Sequence, residues 1–438
     1  MNEHGEEKVR ALLDVDADVR GRVIRLAPEA EAGQLESLFA RAVWSRLVEP
    51  GDAVAGALVS ILGATRALEL LLASTAPRRV CEIARAEGAF ESQPGTVAKA
   101  LARWRLRLDR AASIGDLDRA LDAGMSILAP GSPHWPSALD DLGRHAPLLL
   151  WTRGDASQLA AFSVAVVGAR ACTGYGAGVT AEFTEALCSA GAVIVSGAAY
   201  GIDAVAHRTA LAVGSPTVAV LAGGADRAYP SSHGPLLTRI TETGAVCSEM
   251  VPGAAPTRWR FLQRNRTIAA LSRATLVTEA GVRSGSLNTA GHAAELGRPL
   301  GAVPGAVTSS ASAGCHRLIR DYGAALVTNE AEVREFAGLG DDPVLFDAAA
   351  AGPAGAGSAG SGGSGGGSEG ARQPALHRRV LDALPLRGAR DLPAIARLAG
   401  VDEQEARGAL AELELLGAVA RRETPGSPGP AWALERRT

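Results

Sequence analysis

Val164-Ala165-Val166-Val167-Gly168-Ala169-Arg170 opens the stretch that decides the fold. Four small or branched apolar residues in a row suit a strand buried on both faces, and the Gly-Ala-Arg after them turns it towards a helix. Comparable runs follow at Val193 to Ser196, Thr217 to Leu221, Ala245 to Ser248, Thr275 to Thr278 and Leu300 to Val303, separated by segments of helical length. This alternation predicts an α/β fold, an extended Rossmann-like core with a mainly parallel sheet. One or two further strands are expected near Ala324 to Thr328.

Four glycine/arginine clusters sit where strands should give way to helices. They are Gly168-Ala169-Arg170, Ser196-Gly197-Ala198-Ala199-Tyr200-Gly201-Ile202-Asp203, Arg264-Asn265-Arg266 and Arg283-Ser284-Gly285-Ser286. In an open α/β sheet the loops at the carboxyl ends of the strands converge on one crevice. Glycine lets backbone N–H groups approach a phosphate, and arginine supplies a permanently charged planar fork for its oxygens. Together the clusters predict a site for several phosphates.

The expected ligand-facing set is Gly168, Arg170, Ser196, Gly197, Tyr200, Gly201, Phe261, Arg264, Asn265, Arg266, Arg283, Ser284, Gly285 and Ser286. Trp259-Arg260-Phe261 and Arg264-Asn265-Arg266 interleave aromatic and basic residues ahead of a helix from Thr267 to Leu271, the pattern of a single-strand channel. Arg170 stands where a second glycine would admit a pyrophosphate, which disfavours NAD or FAD. Asp203 and His207 invite an acid/base reading, but no nucleophile accompanies them, and capping and packing are expected instead. No catalytic residue, cofactor or metal is expected.

Composition sets the bounds. The chain has 438 residues, 47% apolar and 21% charged, with a formal net charge of −3. That is ordinary for a globular protein of two to four domains. The slight acidity does not exclude a nucleic-acid ligand, because binding follows local potential. Neither a signal-peptide core nor a membrane-length apolar run is evident, so a cytoplasmic protein is expected. Cys81, Cys172, Cys188, Cys247 and Cys315 show neither disulfide nor zinc spacing. They are expected to be reduced core or near-surface thiols; Cys172 and Cys315 lie in glycine-rich stretches where a reactive thiol is conceivable, but no base or cationic group accompanies them beyond Arg170 and His316.

In order along the chain, the motifs resemble those of the DNA-processing protein A family, DprA or Smf, over roughly the central half. They are Val166-Val167-Gly168-Ala169-Arg170, Val195-Ser196-Gly197 to Asp203 with Ala206-His207, Ala228-Tyr229-Pro230, Ser248-Glu249, Phe261 to Arg266, Glu279-Ala280 with Arg283-Ser284-Gly285-Ser286-Leu287, and Ile319 to Thr328. The resemblance implies a homodimer that binds single-stranded DNA and loads the RecA recombinase onto it, notably in natural transformation. The family commonly has a backbone-contacting lysine at the place of Tyr200. A tyrosine can stack on a base, worth roughly 1–3 kcal/mol, but cannot neutralise a phosphate.

Two other readings of the crevice are open, a nucleotide or nucleoside-monophosphate hydrolase and a nucleotide-sensing module. The related lysine-decarboxylase-like phosphoribohydrolases carry a second catalytic glutamate here, and beyond Glu279 this loop lacks it.

Domain expectations follow. Residues 1–120 read as a helical domain resembling the family's SAM-like module, and 121–340 as the core. Residues 341–372 form a Gly/Ala/Ser tether with a span of roughly 25–30 Å. Residues 373–438 follow a winged-helix pattern whose presumed recognition helix carries Asp402, Glu403, Glu405, Glu412 and Glu414 against Arg407. Phosphates would repel such a helix, so it is expected to dock a protein or regulate the chain.

Overall fold

The computed structural model describes residues 15–339, 375–385, 389–415, 418–422 and 431–435. The chain divides into two compact units, Met1–Asp342 and Pro343–Thr438. The expected tether lies outside the described residues.

The first unit begins with helices Ala17–Leu26, Leu35–Leu47, Ala53–Leu62, Ala64–Leu72, Pro77–Glu87, Pro94–Arg105 and Arg110–Asp122. Their starts are written in the sequence. Asp52 accepts from the amides of Val54 and Ala55 at the start of its helix, and proline opens two others at Pro77 and Pro94. Phe39, Val43, Trp44 and Leu47 form a buried stripe. Trp44 donates to the carbonyl of Ala64 at 3.0 Å and meets Trp104 edge-on at 5.0 Å. Among the described residues no single helix is long and apolar enough to cross a membrane.

A nine-stranded sheet follows: β1 Ser126–Leu128, β2 Leu150–Gly154, β3 Ser163–Val167, β4 Val193–Ser196, β5 Thr217–Val220, β6 Ala245–Ser248, β7 Ala274–Val277, β8 Leu300–Ala302 and β9 Ala325–Leu326. Its order is β1-β2-β6-β5-β4-β3-β7-β8-β9. Strands β3 to β9 pair in parallel. The short strands β1 and β2 extend the β6 edge antiparallel.

Alternate residues of β3 serve opposite faces, as strand geometry requires. Val164 and Val166 pack with Phe183, Leu187 and Ile202, while Ala165 and Val167 pack with Ile268 and Ala290. The chain works outward from β3 to β6, then returns to lay β7 against the other side of β3. That reversal is a topological switch point, where the loops diverge and leave a crevice.

One expectation is corrected. The helix forecast from Thr267 runs from Arg258 to Leu271, with the Thr257 hydroxyl accepting from the Arg260 amide at 3.2 Å to set its start. Arg264, Asn265 and Arg266 therefore lie inside a helix, where its register aims them.

The helical layer and the sheet share one apolar cluster, joining Phe39 and Trp44 to Trp151, Leu221 and Val246. The expected border near residue 120 is thus a change of architecture within one compact unit.

The second unit contains helix Ala375–Asp382, β10 Arg390–Asp391, helix Leu392–Ala399, helix Glu403–Leu415, β11 Val419–Arg422 and β12 Ala431–Leu434. Its strands order as β10-β12-β11 around a core of Val380, Ile395, Leu410, Leu413 and Trp432. Arg421 lies over the Trp432 ring at 4.8 Å and pairs with Glu414 at 3.2 Å.

Trp151 of β2 is fully buried and donates to the hydroxyl of Ser45 at 3.2 Å. Trp151→Ala should cost about 3–5 kcal/mol in urea unfolding of the first unit. A loss below about 1 kcal/mol, the level of a surface change, would contradict the shared core.

Candidate nucleic-acid interface

The switch-point loops are tied together first. Ala169 donates its amide to the carbonyl of Glu279 at 2.7 Å, and the buried Glu279 carboxylate accepts from the amide and hydroxyl of Thr173 at 2.8 and 2.7 Å. Each oxygen of this carboxylate accepts one hydrogen bond from Thr173, so it anchors the loop. Gly201, at φ +77°, sits so close to the carbonyls of Ala169 and Arg170 that no Cβ would fit.

The next loop, Gly197 to Tyr200, is pinned from beneath. Asp203 accepts from the amides of Gly197 and Ala199 at 3.1 and 3.3 Å. Arg264, only 6% exposed, donates to the carbonyls of Gly197 at 2.7 Å and Val220 at 2.5 Å. His233 Nδ1 lies 3.0 Å from the carbonyl of Ala198. A Cβ on Gly197 would overlap the Arg264 guanidinium.

Burial draws the Arg264 pKa down to about 10 against the opposing pull of Asp203. Burial also raises Asp203, opposed by Arg264 and the loop amides. Asp203 thus caps the loop more than the helix it begins.

Around these loops, Arg170, Arg283, Phe261, Tyr200 and Tyr229 are open to a ligand. Arg170 and Arg283 are exposed and Phe261 is half-buried; Tyr200 and Tyr229 are each 51% exposed. The Arg170 guanidinium lies 5.0 Å from the Phe261 ring centre, with Arg264 at 5.7 Å. Tyr229 meets the same ring at 5.5 Å. The Tyr200 ring stands edge-on to His233 at 4.9 Å, and its hydroxyl lies 2.9 Å from that of Ser232.

The remaining expected residues face inward or bond to one another. Arg266, 3% exposed, pairs with Glu249 at 2.6 Å. Asn265 donates to the carbonyl of Gly285 and the side chain of Asn288 at 3.3 and 3.2 Å. The hydroxyls of Ser284 and Ser286 lie 2.7 Å apart, and the hydroxyl of Ser196 donates to the carbonyl of Val166 at 2.7 Å. Gly168 is packed against Ile202 and the Glu279 carbonyl. Arg264 and Arg266 were expected at the ligand surface; in the structure both are buried, Arg264 donating one nitrogen to carbonyls at strand ends and Arg266 pairing with the part-buried Glu249, while the Nε of each has no partner.

Two contributors were missed. Tyr229 closes the loop after β5, and its place before Pro230 at a strand's carboxyl end was the available signal. Glu49 accepts a bidentate pair from Arg260 at 2.8 and 2.9 Å, fixing the helix that carries Phe261 to the helical layer. No local pattern announces that contact.

Farther along the edge, Thr173, Tyr175, Glu279, Pro304, Gly305, Ser309 and Ser312 line an open cavity of about 520 Å³. All five cysteines are free. Cys315 lies in helix Ala313–Tyr322, and burial pushes its thiol up to about 12, which suits the inert thiol expected there. No group of metal-ligating side chains is found among the described residues.

A parallel sheet with exposed arginine and aromatic rings on its switch-point loops places the chain in the Rossmann-like α/β class, and the comparisons give the family. Residues 126–338 match the family model of DNA recombination-mediator protein A. A Mycobacterium tuberculosis protein bearing the DprA name is 41% identical over 354 residues, 76% of this chain and 84% of that one. DNA processing protein DprA of Streptococcus pneumoniae is 44% identical over 188 residues, 43% of this chain and 66% of its own. The X-ray structure of Streptococcus pneumoniae DprA is similar with a TM-score of 0.55 at 31% identity, covering 68% of this chain and 96% of that one. The chain belongs to the DprA/Smf family of DNA recombination-mediator proteins.

Behind the pinned loop, the buried His207 holds Nδ1 2.8 Å from the Thr217 hydroxyl, which itself donates to the carbonyl of Ile194 at 2.7 Å. Nδ1 must then be the donor, and Nε2 has no partner. Burial, with His233 and Arg264 adding to it, lowers the His207 pKa to about 3. The unfolded chain therefore takes up a proton that the folded one refuses between about pH 6.5 and 3, and stability falls as pH falls through that window. Denaturant midpoints from pH 7 to 4 should drop less in His207→Gln than in wild type; parallel curves would refute this.

Proposed function

We propose that this chain binds single-stranded DNA along the carboxyl edge of the sheet, as a recombination mediator without catalysis of its own. The observation that carries this reading is the exposed Arg170 laid over Phe261, with Tyr229 against the same ring and Tyr200 on the neighbouring loop. Arg170 and Arg283 would hold phosphates. Amides of the loops at Gly168, Gly201 and Gly285, with the Ser284 and Ser286 hydroxyls, would add neutral donors, while the Gly197 amide stays on Asp203 and supports its loop. The rings would meet bases, which a single strand exposes and a duplex keeps stacked. Arg264, Asn265, Arg266 and Ser196 would act from beneath by holding the loops in place.

Membership in the DprA/Smf family supports the finer parts of the reading. The chain would act as a cytoplasmic homodimer, pass the strand to RecA, and serve DNA taken up by the cell. Its parts would be a helical domain at 1–120, the core at 121–340, a tether at 341–372 and a winged helix at 373–438. The second unit's succession of helix, strand, two helices and two strands supports that last assignment. Its helix Glu403–Leu415 carries Glu403 and Glu405 in the first turn and no basic residue in the last, which suits protein docking better than DNA.

Fluorescence anisotropy of labelled oligo-dT against a matched duplex, over a range of salt, tests the proposal. Single strand should be preferred, and affinity should fall with salt. Arg170→Ala should weaken binding and reduce the log–log salt slope by about 0.7, the loss of one phosphate contact. Equal binding of duplex, or an unchanged slope, would contradict it.

A further inference from the structure

Tyrosine is scarce in this chain, at 4 of 438 residues, yet two half-exposed tyrosines flank one short segment after β5. Tyr200 reaches that segment through Ser232 and His233, and Tyr229 is its first ring. Exposing an aromatic ring forfeits the apolar area that usually keeps it inside, so a half-exposed ring held by neighbouring rings marks a contact surface. Tyr229 is supported on one side by Phe261, at 5.5 Å and a 52° tilt. The guanidinium groups of Arg170 and Arg264 lie 5.0 and 5.7 Å from the Phe261 ring centre.

We propose that Tyr229 is a base-stacking platform of the cleft, its ring backed by that of Phe261 and meeting a nucleobase whose phosphate is held by Arg170. The inference rests on the single-strand reading. Every base has a π-face, so such a platform accepts any sequence, and it needs the base unstacked from its neighbours. Tyr229 thereby contributes to discrimination between single strand and duplex, which phosphate contacts alone do not supply. It also offers a stacking contact where the Tyr200 position lacks a cation.

The test compares two labelled strands of equal length, oligo-dT and an abasic strand with the same phosphates and no bases. They are titrated against wild type, Tyr229→Phe and Tyr229→Ala of the full chain. On oligo-dT, Tyr229→Ala should lose about 5- to 150-fold in affinity, the range measured for single stacking residues, while Tyr229→Phe binds as wild type does. On the abasic strand all three should bind alike. An equal loss on both strands would assign Tyr229 a structural role and overturn the inference, as would no loss on oligo-dT. If wild type fails to bind oligo-dT at all, the single-strand reading itself falls. Tyr229 is half-exposed, so the variants should keep the fold, and matching thermal midpoints check that they do.

Discussion

The Arg264 guanidinium, buried beneath the carboxyl ends of β4 and β5, joins two strand-end carbonyls through a single nitrogen. A charge in that position costs desolvation energy, seen in its lowered pKa. The two carbonyls and the field of Asp203 offset the cost. What results is a backbone loop whose polar groups are already engaged from below: the Gly197 and Ala199 amides by Asp203 and the Ala198 carbonyl by His233. Tyr200 therefore projects from a fixed base. A pre-organised loop loses little entropy when a strand arrives.

The second support comes from outside the sheet. Glu49 grips Arg260 on the helix that carries both Phe261 and Arg264, and Arg107 joins the same carboxylate at 2.9 Å. Arg266 fastens the helix to Glu249 near the end of β6. The helical layer thus sets the height of Phe261 above the sheet edge. Arg170 is exposed beside the Phe261 ring and Arg283 is exposed on its own loop, whereas Arg260, Arg264 and Arg266 brace the frame. That division explains how an acidic chain presents a basic edge, because the net charge of −3 is a sum over the whole surface.

Much of the fold was legible because β3 to β7 are buried on both faces, so their apolar runs are uninterrupted. Val193 to Ser196 and Ala245 to Ser248 are read to the residue for that reason. Asp52, placed after Pro50-Gly51, announces its helix by cap chemistry alone. The helix Arg258–Leu271 was misjudged at its start because its first turns are rich in arginine and show no apolar period. Its burial there is secured by Glu49, Glu249 and carbonyls from distant segments. Local sequence carries no record of those partners, so Arg264 and Arg266 read as surface cations. The clusters did converge on one edge as the strand order requires. Which of their side chains face outward was decided by helix register and by Tyr229, whose neighbour Phe261 lies far along the chain.

Photocross-linking with an oligonucleotide carrying 5-bromodeoxyuridine, followed by mass-spectrometric mapping of adducts, addresses the central claim most directly. The account predicts adducts on Tyr200, Tyr229 or Phe261, the rings of the carboxyl edge, suppressed by excess unlabelled single strand and not by duplex. Adducts confined to the second unit, or spread over the first without enrichment at these rings, would contradict it.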